Sequence, residues 1–109
     1  MSLYASYLKE RTSDNIVELP EGFATYRLLN TNQCYIIDIY VLPEYRKSGI
    51  ASHLADTIVA MAKTQGCTEL LGTVVPSTNS STTSLKVLLA YGMSLHSADS
   101  NLIVCKKDI

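Results

Sequence analysis

A chain of 109 residues, 47% apolar and 17% charged, is long enough for one hydrophobic core and too apolar to stay disordered. Its net charge of −1 offers no basic excess for nucleic acid and no acidic excess for a solvating tail. No stretch approaches the length of a membrane span, so the expectation is a soluble, cytoplasmic protein with neither a nucleic-acid nor a membrane partner.

In chain order, residues 3–11 predict a short helix with Leu3, Tyr4, Tyr7 and Leu8 on one face. Thr12 to Asn15 break it. Residues 16–42 predict a meander into a central strand. It comprises a short strand over 16–19, a Pro20-Glu21-Gly22 turn, a strand over 23–29, and a turn at Asn30-Thr31-Asn32. The run 34–42 is almost continuously apolar and reads as a strand buried on both faces, ended by Pro43. Residues 48–65 predict the longest helix. Ile50, Leu54, Ile58, Met61 and Ala62 recur at helical spacing, Ser48 stands as N-cap, and Gly66 is a left-handed stop. A strand over 70–75 ends at Pro76, and the Ser/Thr-rich stretch 77–83 is a loop or helix entry. Residues 84–91 give a second amphipathic helix through Leu85, Leu88 and Leu89, stopped by Gly92. Closing strands fill 93–106. The strand–helix–strand unit predicts parallel strands joined by a crossover. The whole chain, 1–109, reads as one α+β domain with a mixed sheet.

Cys34, Cys67 and Cys105 are odd in number, lie in apolar contexts and include no C-x-x-C pair. Buried thiols in a reducing compartment are expected. The adjacent bases Lys106-Lys107 read as a solvated strand end.

The pair Arg46-Lys47 is different, because it adjoins Gly49 where a buried strand gives way to a helix. The first N–H groups of a helix lack internal partners, and the macrodipole adds positive charge there. A phosphate suits such a place. Gly49 leaves room for close approach, Ala51 keeps the next turn small, and Arg46 and Lys47 add full charges. The spacing fits neither a Walker loop nor a dinucleotide fingerprint. An ordinary tight turn with solvated charges is the plainer alternative for the glycine taken alone.

The stretch Asp38-Ile39-Tyr40-Val41-Leu42-Pro43-Glu44-Tyr45-Arg46-Lys47-Ser48-Gly49-Ile50-Ala51 closely resembles the central motif of the GNAT superfamily of N-acetyltransferases. Arg46, Gly49 and Ala51 satisfy its Arg/Gln-x-x-Gly-x-Gly/Ala pattern, and Ala90-Tyr91-Gly92-Met93 resembles a later helix end of the family. The resemblance covers roughly residues 22–106 and implies a three-layer acyl-CoA N-acyltransferase fold. It implies acetyl-CoA or another acyl-CoA as cofactor, no metal, and direct acyl transfer to an amine acceptor, a small molecule or a protein. Backbone of Ile39, Tyr40 and Val41 would meet the pantetheine arm, with the Val41 N–H polarising the thioester carbonyl. Lys47, Ser48, Gly49, Ile50, Ala51 and Ser52, beside Arg46, would hold the pyrophosphate. Ser81, with Asn79 close by, takes the place of a family Asn that contacts the cofactor arm.

The chain departs from the family where protons move. Leu88 stands where many members have a Tyr acid, and Ile37 where some have a Glu base. Asp38 is the carboxylate next to Ile37 and the candidate base; binding a backbone amide or Arg27 across the hairpin is its structural alternative. Tyr91 is a secondary catalytic candidate, with a core or rim role as the alternative. Glu44, His53 and His96 read as solvent-facing, and Tyr35, Tyr40 and Tyr45 as core or cleft-lining. The N-terminal region has room for one helix where the family usually has two. A homodimer is therefore expected to complete the cover, through Tyr4, Tyr7 and Leu8. Besides an N-acetyltransferase, two alternatives stay open: a catalytically silent acyl-CoA-binding sensor or interaction module, and a partner-binding fold without cofactor.

Overall fold

Ser2 opens the first element, its hydroxyl accepting the Ala5 N–H at 3.0 Å. Helix α1 then runs Leu3–Arg11 and closes at Thr12, whose N–H donates to the Leu8 carbonyl. The computed structural model describes residues 2–12, 14–29, 32–76, 81–99 and 101–109, with backbone alone for 81–84. Six strands follow in one mixed sheet: β1 Asn15–Leu19, β2 Gly22–Leu28, β3 Gln33–Val41, β4 Glu69–Val74, β5 Ser94–Ala98 and β6 Ile103–Asp108. Helix α2, Ile50–Thr64, joins β3 to β4, and α3, Ser81–Ala90, precedes β5. The spatial order is β1-β2-β3-β4-β6-β5, with β3 and β4 parallel and every other neighbouring pair antiparallel. This is the expected meander followed by a strand–helix–strand unit.

The pleat sorts side chains to two faces. Ala24 and Tyr26 of β2, Cys34 and Ile36 of β3, Leu70 of β4 and Cys105 of β6 form one buried core with Leu54, Ala55, Ile58 and Ala62 of α2. Leu54, Ile58 and Leu70 are fully enclosed. Each contributes about 2 kcal/mol through removal of apolar surface from water. Phe23 points the other way and meets Tyr4 of α1 edge to face, with ring centroids 5.7 Å apart. Helix α1 therefore lies across the sheet from α2, which makes three layers.

Several expectations change. The buried face of α1 is Ala5 and Leu8, while Leu3, Tyr4 and Tyr7 are exposed. Leu8 is thus unavailable as an intersubunit contact. Gly49, in the left-handed region at φ 87°, caps α2, and Ser48 instead donates its hydroxyl to the Tyr45 carbonyl. The pair at the chain end is not simply solvated. Lys106 reaches Glu69 at 3.4 Å, and Lys107 donates to the Tyr91 carbonyl at 3.1 Å. All three cysteines are free and buried, as their apolar contexts predict.

The central strand is not buried on both faces. Thr25 pairs with Asp38, yet Tyr26 pairs with Ile36, so Ile37 is an extra residue in a β-bulge. Before the bulge, even-numbered Cys34 and Ile36 face the core. After it the parity reverses: Ile39 and Val41 face the core, and Asp38 and Tyr40 emerge exposed on the α1 side.

Candidate active site

Strands β3 and β4 pair only from Gln33↔Glu69 to Ile36↔Gly72. Beyond that point β3 continues to Val41 and β4 to Val74 without pairing to each other. The Leu42 N–H donates to the Glu21 carbonyl, on the β2 side. Successive N–H groups of a strand point to opposite edges. The Tyr40 N–H therefore faces β2, while those of Ile39 and Val41 face the gap left by β4. A backbone edge open in this way needs hydrogen-bond partners, from water or from a ligand.

The gap leads to the loop that follows β3. A 3-10 turn, Pro43–Tyr45, is followed by two left-handed residues, Lys47 at φ 64° and Gly49 at φ 87°. The first bond of α2 runs from the His53 N–H to the Gly49 carbonyl, so the N–H groups of Ile50, Ala51 and Ser52 point out of the helix end. A Cβ on Gly49 would meet nothing within 4 Å, which leaves the approach to those groups clear. Arg46 donates through Nε to the Val41 carbonyl at 2.9 Å, and its guanidinium carbon lies 5.8 Å from the centroid of the Tyr40 ring. Free N–H groups, a clear approach and two adjacent cations suit a diphosphate.

On the α1 side, Asp38 presents an exposed carboxylate that engages no other described side chain. Its expected partner across the hairpin is committed elsewhere, since Arg27 Nε donates to Asp14 at 2.6 Å. Tyr40, 5.8 Å from Phe23 between ring centroids, lies two residues along on the same face as Asp38. Tyr35 shares a 2.6 Å hydrogen bond with Thr73 of β4 just where the two strands part. Glu21, whose backbone holds Leu42, keeps one carboxylate oxygen out of solvent with no hydrogen-bond partner among the described residues.

On the opposite face, α2 and α3 flank a narrow apolar groove over the gap, floored by Ile36 and Ile39 and walled by Ala51, Ala55 and Leu88. Leu88, in the place of the family's Tyr, lies against Gly72, where an added Cβ would sit 3.2 Å from its Cδ2. Tyr91 closes the end of this groove. Its hydroxyl donates to Asp56 of α2 at 2.6 Å. Burial first, and then the carboxylate beside it, push the phenol pKa well above its ordinary value. Its proton is committed to Asp56.

Ser81 opens α3, and its side chain, like the whole of Asn79, lies outside the described residues. Glu44, His53 and His96 are exposed as expected, while Tyr45, expected in the core or cleft, is 45% exposed. The Tyr91–Asp56 bond and the Asp14–Arg27 pair had no signal in the sequence. Both join residues on separate elements, and no local spacing encodes them.

Residues 11–85 match the model of the family described as Acetyltransferase (GNAT) family. Over 57 residues the chain is 40% identical to an aminoglycoside N(6')-acetyltransferase type 1 from Acinetobacter genomosp. 13, a match that takes in 49% of this chain and 39% of that protein. The fold superposes on an acetyl-CoA-bound GNAT family acetyltransferase from Elizabethkingia anophelis with a TM-score of 0.75 at 18% identity, covering 98% of this chain and 82% of that one. It also superposes on the PaiA N-acetyltransferase of Thermoplasma acidophilum in complex with coenzyme A, with a TM-score of 0.76 at 16% identity, covering 98% and 69%. The match to the curated relative thus spans well under half of that relative's length. With the family match extending over most of its length, the chain belongs to the GNAT family of acetyltransferases.

Proposed function

We propose that this chain binds acetyl-CoA, or another acyl-CoA, and transfers the acyl group directly to a primary amine. The observation that carries the proposal is continuous: the open inner edge of β3 at Ile39 and Val41 runs straight to the clear N-terminus of α2 at Gly49. Acyl-CoA bound there would supply an activated thioester. The N–H groups of Ile39 and Val41 hold an extended arm in the gap, and the Val41 N–H polarises a carbonyl lying against it. The backbone from Lys47 to Ser52, with Arg46 alongside, holds a diphosphate. Asp38, exposed on the opposite face beside the gap, takes the proton of an incoming ammonium, directly or through water. Asn79 and Ser81 stand for contacts to the cofactor arm. Tyr40 contributes its ring, packed with Phe23 and Arg46, more than its backbone. The fold neighbours bound to acetyl-CoA and coenzyme A support the donor, and the aminoglycoside acetyltransferase supports an amine acceptor.

A second proposal, a silent acyl-CoA-binding module, is favoured by one observation: Leu88 packs its methyl groups against Gly72 at the groove wall and offers no proton there. Two measurements separate them. Calorimetry should show acetyl-CoA binding to the wild type and none to Gly49→Glu, whose side chain adds bulk and negative charge before the helix end. Equal binding by both, or by neither, overturns the cofactor site. Release of free CoA is then followed across amino sugars, polyamines and peptides. Turnover supports the enzyme; binding without turnover on any amine leaves the silent module.

The exposed side of α1, with Leu3, Tyr7 and the part of Tyr4 that Phe23 leaves uncovered, is our candidate contact between two copies, checked by sedimentation of wild type against Tyr7→Glu. A reducing, cytoplasmic setting suits the free thiols.

A further inference from the structure

Tyr91 is held from three sides. Its hydroxyl donates to Asp56 on α2 at 2.6 Å. Its carbonyl accepts Lys107 of β6 at 3.1 Å, and the same ammonium lies 4.5 Å from its ring centroid. Lys107 is in register with Leu70 of β4, so the sheet, the end of α3 and the second turn of α2 meet at this one ring. Otherwise α3 is held, among the described residues, by apolar packing, with Leu85 and Leu88 against the core. Leu88 lies on Gly72, while Val87 and Leu89 are exposed. The described part of α3 makes no other side-chain hydrogen bond to α2. The Tyr91–Asp56 bond is therefore the directional link across the groove between the two helices among the described residues. The walls of the groove are Ala51 and Ala55 on one side and Leu88 on the other, apolar groups whose packing is non-directional, whereas the hydrogen bond fixes one geometry.

We propose that Tyr91 is a positioning residue: through Asp56 and Lys107 it fixes the spacing of α2 and α3, and so prepares the groove above the β3–β4 gap for the acyl-CoA arm. The proposal rests on the acyl-CoA reading of that gap. A helix already held in place loses less freedom when a ligand arrives. The phenol stays protonated through the neutral range, since its pKa is raised, so the bond persists under assay conditions.

The test is acetyl-CoA calorimetry on the wild type and four variants, with thermal melting alongside. Tyr91→Phe keeps the ring and its contact with Lys107 and removes only the hydroxyl. Its dissociation constant for acetyl-CoA should rise about five- to tenfold, and any loss of rate at saturating acetyl-CoA should be smaller than that. Asp56→Ala should match it. The double variant should be no weaker than either single one, because both remove the same bond. Asp56→Asn keeps an acceptor and should retain most of the affinity. A lower melting temperature with an unaltered dissociation constant overturns the proposal, since the bond would then only stabilise the fold. So do additive losses in the double variant. Absence of acetyl-CoA binding by the wild type overturns the acyl-CoA reading and this proposal with it; binding by the wild type with no change in Tyr91→Phe overturns the positioning role alone.

Discussion

Gly49 does two things at once. It adopts φ 87°, and it leaves the helix end uncovered. An L-residue in the left-handed region costs about 1 kcal/mol. Gly49→Ala should therefore lower stability by about 1 kcal/mol without a clash, because its methyl group meets nothing within 4 Å. Chemical denaturation reads that loss. Acetyl-CoA affinity should fall further than stability does, since the methyl group stands before the N–H groups of Ile50 to Ser52. An affinity equal to wild type would remove Gly49 from the site. The place of this glycine at a helix start was legible, because it stands between a basic pair and an amphipathic run. The cap was not. Ser48 is as good a capping residue as any, but the left-handed turn at Lys47 sends its hydroxyl back to Tyr45. Loop handedness, which composition does not carry, decides between them.

At the scale of the element, the bulge in β3 settles what Asp38 can be. Strict alternation from Cys34 and Ile36 would bury Asp38 in the core beneath α2. An unpaired carboxylate there would be driven to neutralise. The extra residue, Ile37, turns Asp38 outward and Ile39 inward. The apolar run showed that a central strand exists. It did not show the bulge, because Ile37 and Ile39 are equally apolar and either parity satisfies the pattern. The same strand depends on Gly22. A Cβ there would collide with the Tyr40 carbonyl oxygen and stand 2.9 Å from Val41 Cα. Both contacts are backbone, so no rotamer change relieves them. Gly22→Ala should destabilise the fold by roughly 2 kcal/mol and displace the end of β3, weakening acetyl-CoA binding as well. A variant with wild-type stability would show that the β2–β3 ladder yields at this point.

For the whole molecule, the layer formed by α1 is tied to the sheet at its C-terminal end. The Thr12 hydroxyl donates to Leu8 and accepts the Asp14 N–H, and Asp14 accepts Arg27 of β2 at 2.6 Å. Arg27 first, helped by Thr12 and opposed by burial, holds the Asp14 carboxyl below its ordinary 3.8. Glu69 is lowered in the same way by Gln33 and Lys106, a pairing that ties β4 to β3 and β6. A carboxyl whose folded value lies below its unfolded one binds fewer protons when folded. Its stabilisation is complete above the unfolded value and is lost as pH falls through the folded value. The melting temperature should therefore hold from neutrality to about pH 5 with respect to these groups and decline below it. Asp14→Asn, which keeps the shape and loses the charge, should melt lower than wild type near neutral pH and show a shallower acid decline, so that the two curves converge at the acid end. Parallel curves would mean that the ion pair contributes nothing to the fold. In that case α1 would be held by Ala5, Leu8 and the Tyr4–Phe23 contact alone.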